Sequence, residues 1–177
     1  MRKLGLLSKN KKNEKIVEQI LLENYNKYFR LAYSHVKNEE DAADIVQNGA
    51  YKAILNSDQL KKPEFAATWI YRIMLNEIKQ QYKVVKFQSM EEVPETGKQD
   101  VYENFDLKEA MDQLELADQV VIRLRYFEDM KLEEIAQIQN EKLSTIKSRL
   151  YRGLRKLRVQ MEEAVSYTHL RAHETSQ

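Results

Sequence analysis

The sequence predicts an all-α fold in which two small helical domains are joined by a flexible acidic linker, with a helix-turn-helix in the C-terminal domain. Glycine and proline, which interrupt helices, number only 4 and 2 in 177 residues. Apolar residues also recur at three- and four-residue steps in two regions, and a stretch without that period separates them. The net charge is only +1, so any binding of nucleic acid must depend on locally concentrated basic residues.

The first domain, residues 14–86, is predicted to contain three helices, at about 14–35, 39–56 and 63–86. Asn38 precedes the second helix and offers a side-chain oxygen to its unpaired amides. Three carboxylates then occupy the positive end of the helix dipole, which favours a helix start at this point. They belong to Glu39, Glu40 and Asp41.

The third helix carries Phe65, Trp69, Ile73 and Ile78 on one side. Pro63 suits the first position of that helix, because its missing N–H would have no partner there. Since Trp69 is at helical spacing with Phe65 and Ile73, we expect it to lie in the core rather than to stack on a base.

Residues 87–105 differ in composition from the regions on either side. They contain Pro94 and Gly97, are rich in Asp and Glu, and have no helical period. This composition is typical of a linker. The second domain is therefore predicted at 106–164.

The second domain ends in a segment, Lys131 to Arg158, with the pattern of a helix-turn-helix. A short helix with acidic residues is followed by a polar turn and a longer helix. The apolar stripe of the longer helix consists of Leu143, Ile146, Leu150, Leu154 and Leu157. Off that stripe the helix carries basic residues and no acidic one, which suits binding to phosphate.

The sequence excludes several classes of chemistry. It contains no cysteine, so disulfides, thiol nucleophiles and thiolate metal sites are impossible. It shows no carboxylate pair, glycine-rich phosphate loop or nucleophile with a base, so we expect neither an enzyme nor a cofactor. His169 and His173 are four residues apart but have no further ligand nearby in the sequence, so no metal site is expected.

The chain is expected to be cytoplasmic, without membrane insertion. No stretch has the length needed to span a bilayer, and the apolar patch near the start is too short for a signal peptide. Residues 165–177 abandon the helical pattern and resemble the translation of a sequencing adapter. We interpret them as a non-native tail.

Three segments together resemble bacterial sigma factors of the extracytoplasmic-function class, which are two-domain relatives of the sigma-70 family. They are DAADIVQ (41–47), FAATWIYRIMLNEI (65–78), and the pair VVIRLRYFEDMKLEEIAQI and LSTIKSRLYRGLRKLR (120–138 and 143–158). The resemblance covers about Glu14 to Glu163, in the order expected of the family. It implies an RNA polymerase sigma factor that binds core polymerase and recognises minus-10 and minus-35 promoter elements.

The resemblance implies two contacts for the first domain. The segment matching 41–47 would bind the clamp helices of the largest polymerase subunit, through Asp41, Asp44, Ile45 and Gln47. Three of these, Asp41, Asp44 and Gln47, fall at three-residue steps, so one helix face can present them together. The loop after the second helix, Asn56 to Lys62, and the third helix would capture single-stranded minus-10 DNA. The implied contacts are Asn56, Lys61, Lys62, Arg72, Asn76 and Lys79.

The resemblance assigns the minus-35 duplex to the first turns of the helix that begins near Leu143, because a recognition helix contacts base edges from its N-terminal end. The implied contacts are Ser144, Thr145, Lys147, Ser148, Arg149, Arg152 and Arg155. Of these, Arg149 and Arg152 are expected to read guanines or their flanking phosphates.

Four positions near the turn depart from the family pattern. Lys131 stands where Ser or Thr often caps a helix, which leaves that helix start weaker or capped by Asp129. Asn140 replaces a common Gly, and this is tolerable because Asn also adopts the left-handed region. Glu141 and Lys142 replace an apolar residue and a small cap, so the base contacts can shift by one residue.

The resemblance also implies an anti-sigma factor as an inhibitory partner. Two other interpretations of the residues stay open. A stand-alone helix-turn-helix regulator, with a helical ligand- or partner-binding domain, would bind duplex DNA without polymerase. A helical adaptor that binds only protein would not need Arg149 and Arg152.

Overall fold

A computed structural model describes the backbone of residues 2–91 and 107–174, and the side chains of 11–83, 107 and 109–162. The chain divides into two compact units, Met1–Pro94 (unit 1) and Glu95–Gln177 (unit 2). All regular structure in the described ranges is helical, which confirms the predicted all-α fold. None of the helices in those ranges combines the length and the apolar character that crossing a bilayer requires.

Over residues 2–91, unit 1 forms three long helices that all pack against one another. They are α1 (Arg2–Val36), α2 (Glu39–Leu55) and α3 (Ala66–Glu91). Two short 3-10 turns, Ser57–Gln59 and Pro63–Phe65, lie in the loop between α2 and α3. This α2–α3 loop, residues 56–65, brings Pro63 to the first position of the turn that leads into α3.

The start of α2 follows the predicted capping. Asn38 has extended backbone angles, and its side-chain oxygen accepts a hydrogen bond of 3.1 Å from the backbone N–H of Asp41. This bond satisfies one of the amides that the first helical turn leaves without a partner. The predicted helix start at Glu39 is confirmed.

Two helices of unit 1 are longer than predicted. α1 begins at Arg2, well before residue 14, and α3 continues beyond Lys86 to Glu91. The first residues of the predicted linker are thus helical, since no proline or glycine interrupts the chain before Pro94. The rest of that linker, from residue 92 on, lies outside the described residues.

The core of unit 1 draws on all three helices and the loop. Its buried apolar side chains are Val17, Leu21, Tyr28, Leu31, Ala32, Ala42, Ile45, Val46, Ala53, Leu60, Ala66, Ile70, Tyr71, Met74, Leu75 and Ile78. Tyr28 and Tyr71 meet edge to face, with ring centroids 4.9 Å apart. Gly49 lets α2 approach α3 closely, because a Cβ atom there would collide with the Met74 sulfur. α3 therefore faces the core with the stripe that contains Ile70 and Met74.

The described part of unit 2, residues 107–174, forms four helices, and the last of them packs against the other three. They are α4 (Leu107–Asp112), α5 (Leu116–Tyr126), α6 (Leu132–Gln139) and α7 (Leu143–Glu174). The buried apolar side chains are Ala110, Met111, Leu114, Val120, Val121, Ile122, Leu124, Ile135, Ala136, Ile138, Ile146, Leu150 and Leu157. α6, the turn and α7 form the predicted helix-turn-helix.

The turn of this motif depends on Asn140. Its backbone has φ 55° and ψ 45°, the left-handed region, and its N–H bonds back to the end of α6. Most side chains disfavour this region because the Cβ crowds the carbonyl oxygen, but Asn adopts it more readily. The expectation for Asn140 in the turn is confirmed.

α6 begins without a side-chain cap from Asp129. Instead, the carboxylate of Glu134 accepts a 2.7 Å hydrogen bond from the backbone N–H of Lys131. Asp129 lies next to Arg125, with a nitrogen-to-oxygen distance of 3.7 Å. Of the two alternatives for this helix start, capping by Asp129 is therefore wrong.

α7 runs to Glu174 and includes most of the segment interpreted as a tail. The helical pattern of apolar residues stops near Val165, but the sequence there contains no proline or glycine to end a helix. Near the middle of α7, Gly153 lies against α5. A Cβ atom there would be 2.7 Å from Cδ1 of Ile122 and 3.4 Å from Cβ of Asp118.

Candidate nucleic-acid and partner interfaces

One side of α7 is exposed over three turns, and we call it the α7 face. Its members recur at three- and four-residue steps and are Ser144, Lys147, Ser148, Tyr151 and Arg155. The opposite side contains Ile146, Leu150 and Leu157, which are buried. The α7 face offers hydroxyl groups, two cations and one aromatic ring, and it includes no carboxylate. It can therefore approach a polyanion without electrostatic repulsion from its own side chains.

Thr145 and Arg149 belong to the predicted set but not to the α7 face, since both are partly buried. Arg149 donates hydrogen bonds to Gln139 at 3.2 Å and to Glu141 at 2.9 Å. Its second terminal nitrogen lies 2.9 Å from the other oxygen of Glu141. Arg149 thus links α7 to the end of α6 and to the turn.

Arg152 is also engaged within unit 2. Its guanidinium donates two hydrogen bonds, of 2.8 and 2.5 Å, to the two carboxylate oxygens of Asp118 on α5. Asp118 has no solvent exposure, and Glu115 lies 3.5 Å from the same guanidinium. The hydrogen bonds to Asp118, together with its negative charge, raise the pKa of Arg152.

Arg149 and Arg152 therefore do not carry free guanidinium groups in this structure, and their contacts with guanines or flanking phosphates stay a prediction. Each holds a carboxylate of its own unit, in the two-pronged geometry that Arg and carboxylate favour. The acidic partners could not be assigned from the sequence, because Asp118 lies 34 residues before Arg152. The signal that was available is Glu141, which replaces an apolar residue eight positions before Arg149.

In unit 1, the side chains predicted to contact a partner lie on α2. Asp44 and Gln47 are exposed, and Asp41 is half-buried. Ile45 is only 4% exposed and belongs to the core. The surface that α2 offers is therefore polar and is formed by Asp41, Asp44 and Gln47. Ile45 packs in the core beneath this surface.

A groove lies between α2, the α2–α3 loop and α3, and we call it the Trp69 groove. It is lined by Lys52, Asn56, Gln59, Trp69, Ile73, Asn76, Glu77 and Gln80. At its base the Lys52 ammonium lies 2.7 and 2.8 Å from the two carboxylate oxygens of Glu77. The groove thus combines one aromatic ring with amide groups and a neutralised ion pair.

Trp69 lies in this groove and is only partly buried, so the expectation that it belongs to the core is wrong. Phe65, in the 3-10 turn just before α3, is 45% exposed. The predicted apolar side held Phe65, Trp69, Ile73 and Ile78, but the side that faces the core holds Ile70, Met74 and Ile78. Of the predicted set, Ile78 is the one that is buried. The polar residues Asn76 and Gln80, which continue the stripe of Trp69 and Ile73, were the signal for its exposure.

The residues predicted to contact single-stranded DNA are distributed over the α2–α3 loop and α3. Lys61 and Lys62 are exposed in the loop, and the Lys62 ammonium lies 5.7 Å from the centre of the Phe65 ring. Asn76 is exposed, while Arg72 and Lys79 are half-buried. Asn56 organises the loop, because its amide donates to the Lys52 carbonyl and accepts from Gln59. The structure thus brings Asn56 and Asn76 together in one groove.

A metal centre is not evident in the part of the chain that the structure describes, where no three His, Asp or Glu residues cluster suitably. One buried cation in that part is notable. Arg123 is 7% exposed, and burial lowers its pKa. Its terminal nitrogen lies 3.9 Å from Asp112. Arg123 faces the interior of unit 2 and does not contribute to the α7 face.

Two family models match the chain. The model for Sigma-70 region 2 matches residues 20–86, and the model for Sigma-70, region 4 matches residues 104–157. The first match contains α2, the Trp69 groove and most of α3. The second contains the helix-turn-helix and the α7 face.

Individual proteins are similar over most of the chain. RNA polymerase sigma factor SigV of Bacillus subtilis (strain 168) is 41% identical over 139 residues, covering 76% of this chain and 84% of that protein. ECF RNA polymerase sigma factor SigW of the same organism is 27% identical over 158 residues, covering 78% of this chain and 84% of that protein.

Two solved structures share the fold. The sigma factor RpoE in complex with the anti-sigma factor NepR, from Bartonella quintana, has a TM-score of 0.64 and 22% identity, covering 82% of this chain and 96% of that one. CnrH in complex with the cytosolic domain of CnrY has a TM-score of 0.66 and 18% identity, covering 89% and 95%. At these identities the likeness concerns the fold alone.

Proposed function

The chain belongs to the sigma-70 family, as an RNA polymerase sigma factor of the extracytoplasmic-function class, and from that premise we propose how its two units share promoter recognition. Unit 2 binds the minus-35 duplex. Unit 1 binds core polymerase and the single-stranded minus-10 element. The protein contributes binding and no catalytic chemistry of its own, and it acts in the cytoplasm.

The observation that carries the proposal for unit 2 is the composition of the α7 face. Lys147 and Arg155 supply positive charge for phosphates, and Ser144 and Ser148 supply short hydroxyl groups near the helix start. A helix presented this way fits the major groove of B-DNA, where its first turns reach base edges. Arg149 and Arg152 act differently in this proposal, because they hold α7 against α6 and α5.

The polar surface of α2 supports the proposal for core polymerase. Asp44 and Gln47 are exposed on one side of the helix, and Asp41 lies one turn before Asp44. A coiled coil with basic residues would complement this surface, and the clamp helices of the largest polymerase subunit are the partner that family membership implies. Ile45 contributes only by packing.

The Trp69 groove and the α2–α3 loop support the proposal for the minus-10 element. Single strands are bound by combining an aromatic surface for base stacking with cations for the backbone. Trp69 offers the aromatic surface, and Lys61 and Lys62 offer the cations. Asn56 and Asn76 place amide groups where an unpaired base could form hydrogen bonds.

An anti-sigma factor is the proposed regulator. The sigma factor RpoE of Bartonella quintana, which has the same fold, was solved in complex with the anti-sigma factor NepR. We expect an inhibitor of this chain to compete with core polymerase for unit 1, or with DNA for unit 2.

Reconstituted transcription tests the proposal. The protein is mixed with core polymerase and a library of genomic fragments, and promoter-dependent transcripts are mapped. Transcripts that start downstream of a shared two-part sequence are expected. If none appears on any fragment, the proposed function is wrong. Gel shifts separate the regulator alternative, because a regulator would bind duplex DNA as tightly without core polymerase as with it.

A charge reversal tests the polymerase surface. Asp44→Lys should weaken binding to core polymerase, while Glu18→Lys on α1, an equally exposed carboxylate of the same unit, should not. Equal affinities for both variants would remove α2 from the proposal and leave the DNA contacts standing.

A further inference from the structure

Asn13 on α1 is a buried polar side chain that lies outside the region matched by the family model. It is 2% exposed, and the match to Sigma-70 region 2 begins only at residue 20. Its amide nitrogen lies 3.1 Å from the carbonyl oxygen of Ser57 and 2.9 Å from that of Leu60. An Asn side chain has two N–H groups, and here both are donated to backbone atoms of the α2–α3 loop.

The two carbonyl groups bracket the 3-10 turn Ser57–Gln59. Within the loop, the turn is closed by local backbone hydrogen bonds, such as the 3.2 Å bond from the Leu60 N–H to the Ser57 carbonyl. The Leu60 side chain adds an apolar anchor, because it is only 4% exposed. Asn13 is therefore a polar attachment of this loop to α1, over a sequence separation of 44 and 47 residues.

The chain leaves this anchored point directly into Lys61 and Lys62, which are both exposed. The backbone at Leu60 determines where the two ammonium groups project. A loop held only by its local hydrogen bonds would sample several arrangements, since short segments with exposed backbone open easily. Fixing the loop in advance removes that entropic cost from binding.

We propose that Asn13 is a positioning residue for single-strand capture: it fixes residues 57–60 so that Lys61 and Lys62 meet the backbone of the displaced strand. This proposal rests on the proposed function of the α2–α3 loop. Asn13 does not contact the nucleic acid. Its effect reaches the strand through the loop, so binding to core polymerase and to the minus-35 duplex does not depend on it.

The salt dependence of binding gives a readout that a loss of stability alone would not change. Holoenzyme is assembled from full-length protein and core polymerase, and its active fraction is titrated. Its affinity for a minus-10 single-stranded oligonucleotide is then measured against salt concentration. Each phosphate contact adds about 0.7 to the slope of log affinity against log salt for single strands.

Asn13→Leu keeps the approximate size of the side chain but cannot donate hydrogen bonds. It should lower the slope of log affinity against log salt by up to about 1.4, which corresponds to one lost phosphate contact for each of the two lysines. At fixed salt it should weaken binding by about tenfold, as expected for lost hydrogen bonds. The affinity of Asn13→Leu for core polymerase should differ less than about twofold from that of the unmodified protein. Asn24→Leu is the matched control, because the Asn24 amide donates only to Ile20 of its own helix.

The combined variant Lys61→Ala/Lys62→Ala distinguishes a failure of the Asn13 proposal from a failure of the proposed function of the loop. If it lowers the slope and Asn13→Leu does not, Asn13 has no positioning role. If the double alanine variant itself leaves the slope unchanged, the loop does not bind the strand and the proposed function of the loop fails. If Asn13→Leu does not fold, Asn13→Ala, which leaves room for water at both carbonyls, is measured in its place and should again lower the slope.

Discussion

Arg152 on α7 and Asp118 on α5 form an ion pair in which the carboxylate has no exposure to solvent and the guanidinium covers it from outside. Both carboxylate oxygens accept a hydrogen bond. Gly153 follows Arg152 and lies against Ile122, so the pair lies beside a close approach of α7 to α5. The ion pair therefore helps to orient the α7 face, together with the buried side chains of Ile146, Leu150 and Leu157.

Arg152→Ala should destabilise unit 2, because it leaves the buried Asp118 carboxylate without a cation, and an uncompensated buried charge is costly. Adding Asp118→Asn should restore part of the loss, since the asparagine carries no charge. The measurement is hydrogen exchange of α5 and α7 amides in the full-length protein.

Arg158→Ala serves as the control for that pair. Arg158 and Glu162 also form an ion pair on α7, but both are largely exposed, and exposed pairs contribute little to stability. Exchange rates should not change. If Arg152→Ala weakens binding to the minus-35 duplex while exchange in unit 2 stays as in the unmodified protein, Arg152 reads DNA after all.

Gly153→Ala should also destabilise unit 2. The added methyl would lie 2.7 Å from Cδ1 of Ile122, and overpacking a core costs about 1–3 kcal/mol. This exceeds the gain of about 1 kcal/mol that alanine brings to a helix. In an Ile122→Val background the colliding atom is absent, so the sign should reverse and Gly153→Ala should stabilise. Free energies of unfolding derived from hydrogen exchange of α5 amides check both predictions. If Gly153→Ala destabilises unit 2 equally with and without Ile122→Val, the close approach of Gly153 to Ile122 is contradicted.

Asn140 gives a prediction about the turn. Asn140→Gly should be neutral or stabilising, because glycine adopts φ 55° without strain. Asn140→Ala should cost about 1 kcal/mol, as expected for a Cβ forced into the left-handed region. Protection of α6 amides reports the difference. Asn48→Ala is the control, because Asn48 is exposed in the middle of α2. If this variant does not destabilise unit 1, the loss of stability in Asn140→Ala comes from the left-handed backbone angle at residue 140.

Lys147 and Arg149 should behave differently although they are two residues apart. Lys147→Ala should weaken minus-35 binding and reduce the salt slope by about 1, as for one lost phosphate contact. Arg149→Ala should loosen the turn at Glu141 and lower protection of α6 with no direct loss of a DNA contact. Lys156→Ala is the control for charge, because Lys156 is exposed on another side of α7. A slope that changes equally for Lys147 and Lys156 would mean that the α7 face has no special role.

Local features were predictable from the sequence because neighbouring residues determine them. Asn38 caps α2 and Asn140 adopts the left-handed region, and both effects depend on one side chain and its own backbone. The helix-turn-helix was predictable for a similar reason, since its apolar stripe has a single period. The order of helices and the family resemblance followed from these patterns.

Contacts between distant parts of the chain were not predictable. Arg152 looks free in the sequence, and only the packing of α7 on α5 brings Asp118 to it. Asn13 precedes the region with clear helical spacing, and its partners are backbone atoms, which no residue pattern records. Trp69 was misplaced because α3 carries two apolar stripes, and the choice between them depends on how α1 and α2 pack.

Trp69 is the single tryptophan of the sequence, and it lies partly exposed in the groove proposed to receive an unpaired base. The protein therefore carries an intrinsic fluorophore at that place, with no second indole to obscure its emission. A base that stacks on this ring would quench it, and a change of polarity in the groove would shift its emission wavelength. In the free protein, occupation of the Trp69 groove by an oligonucleotide or by an inhibitor can be observed optically without a chemical label.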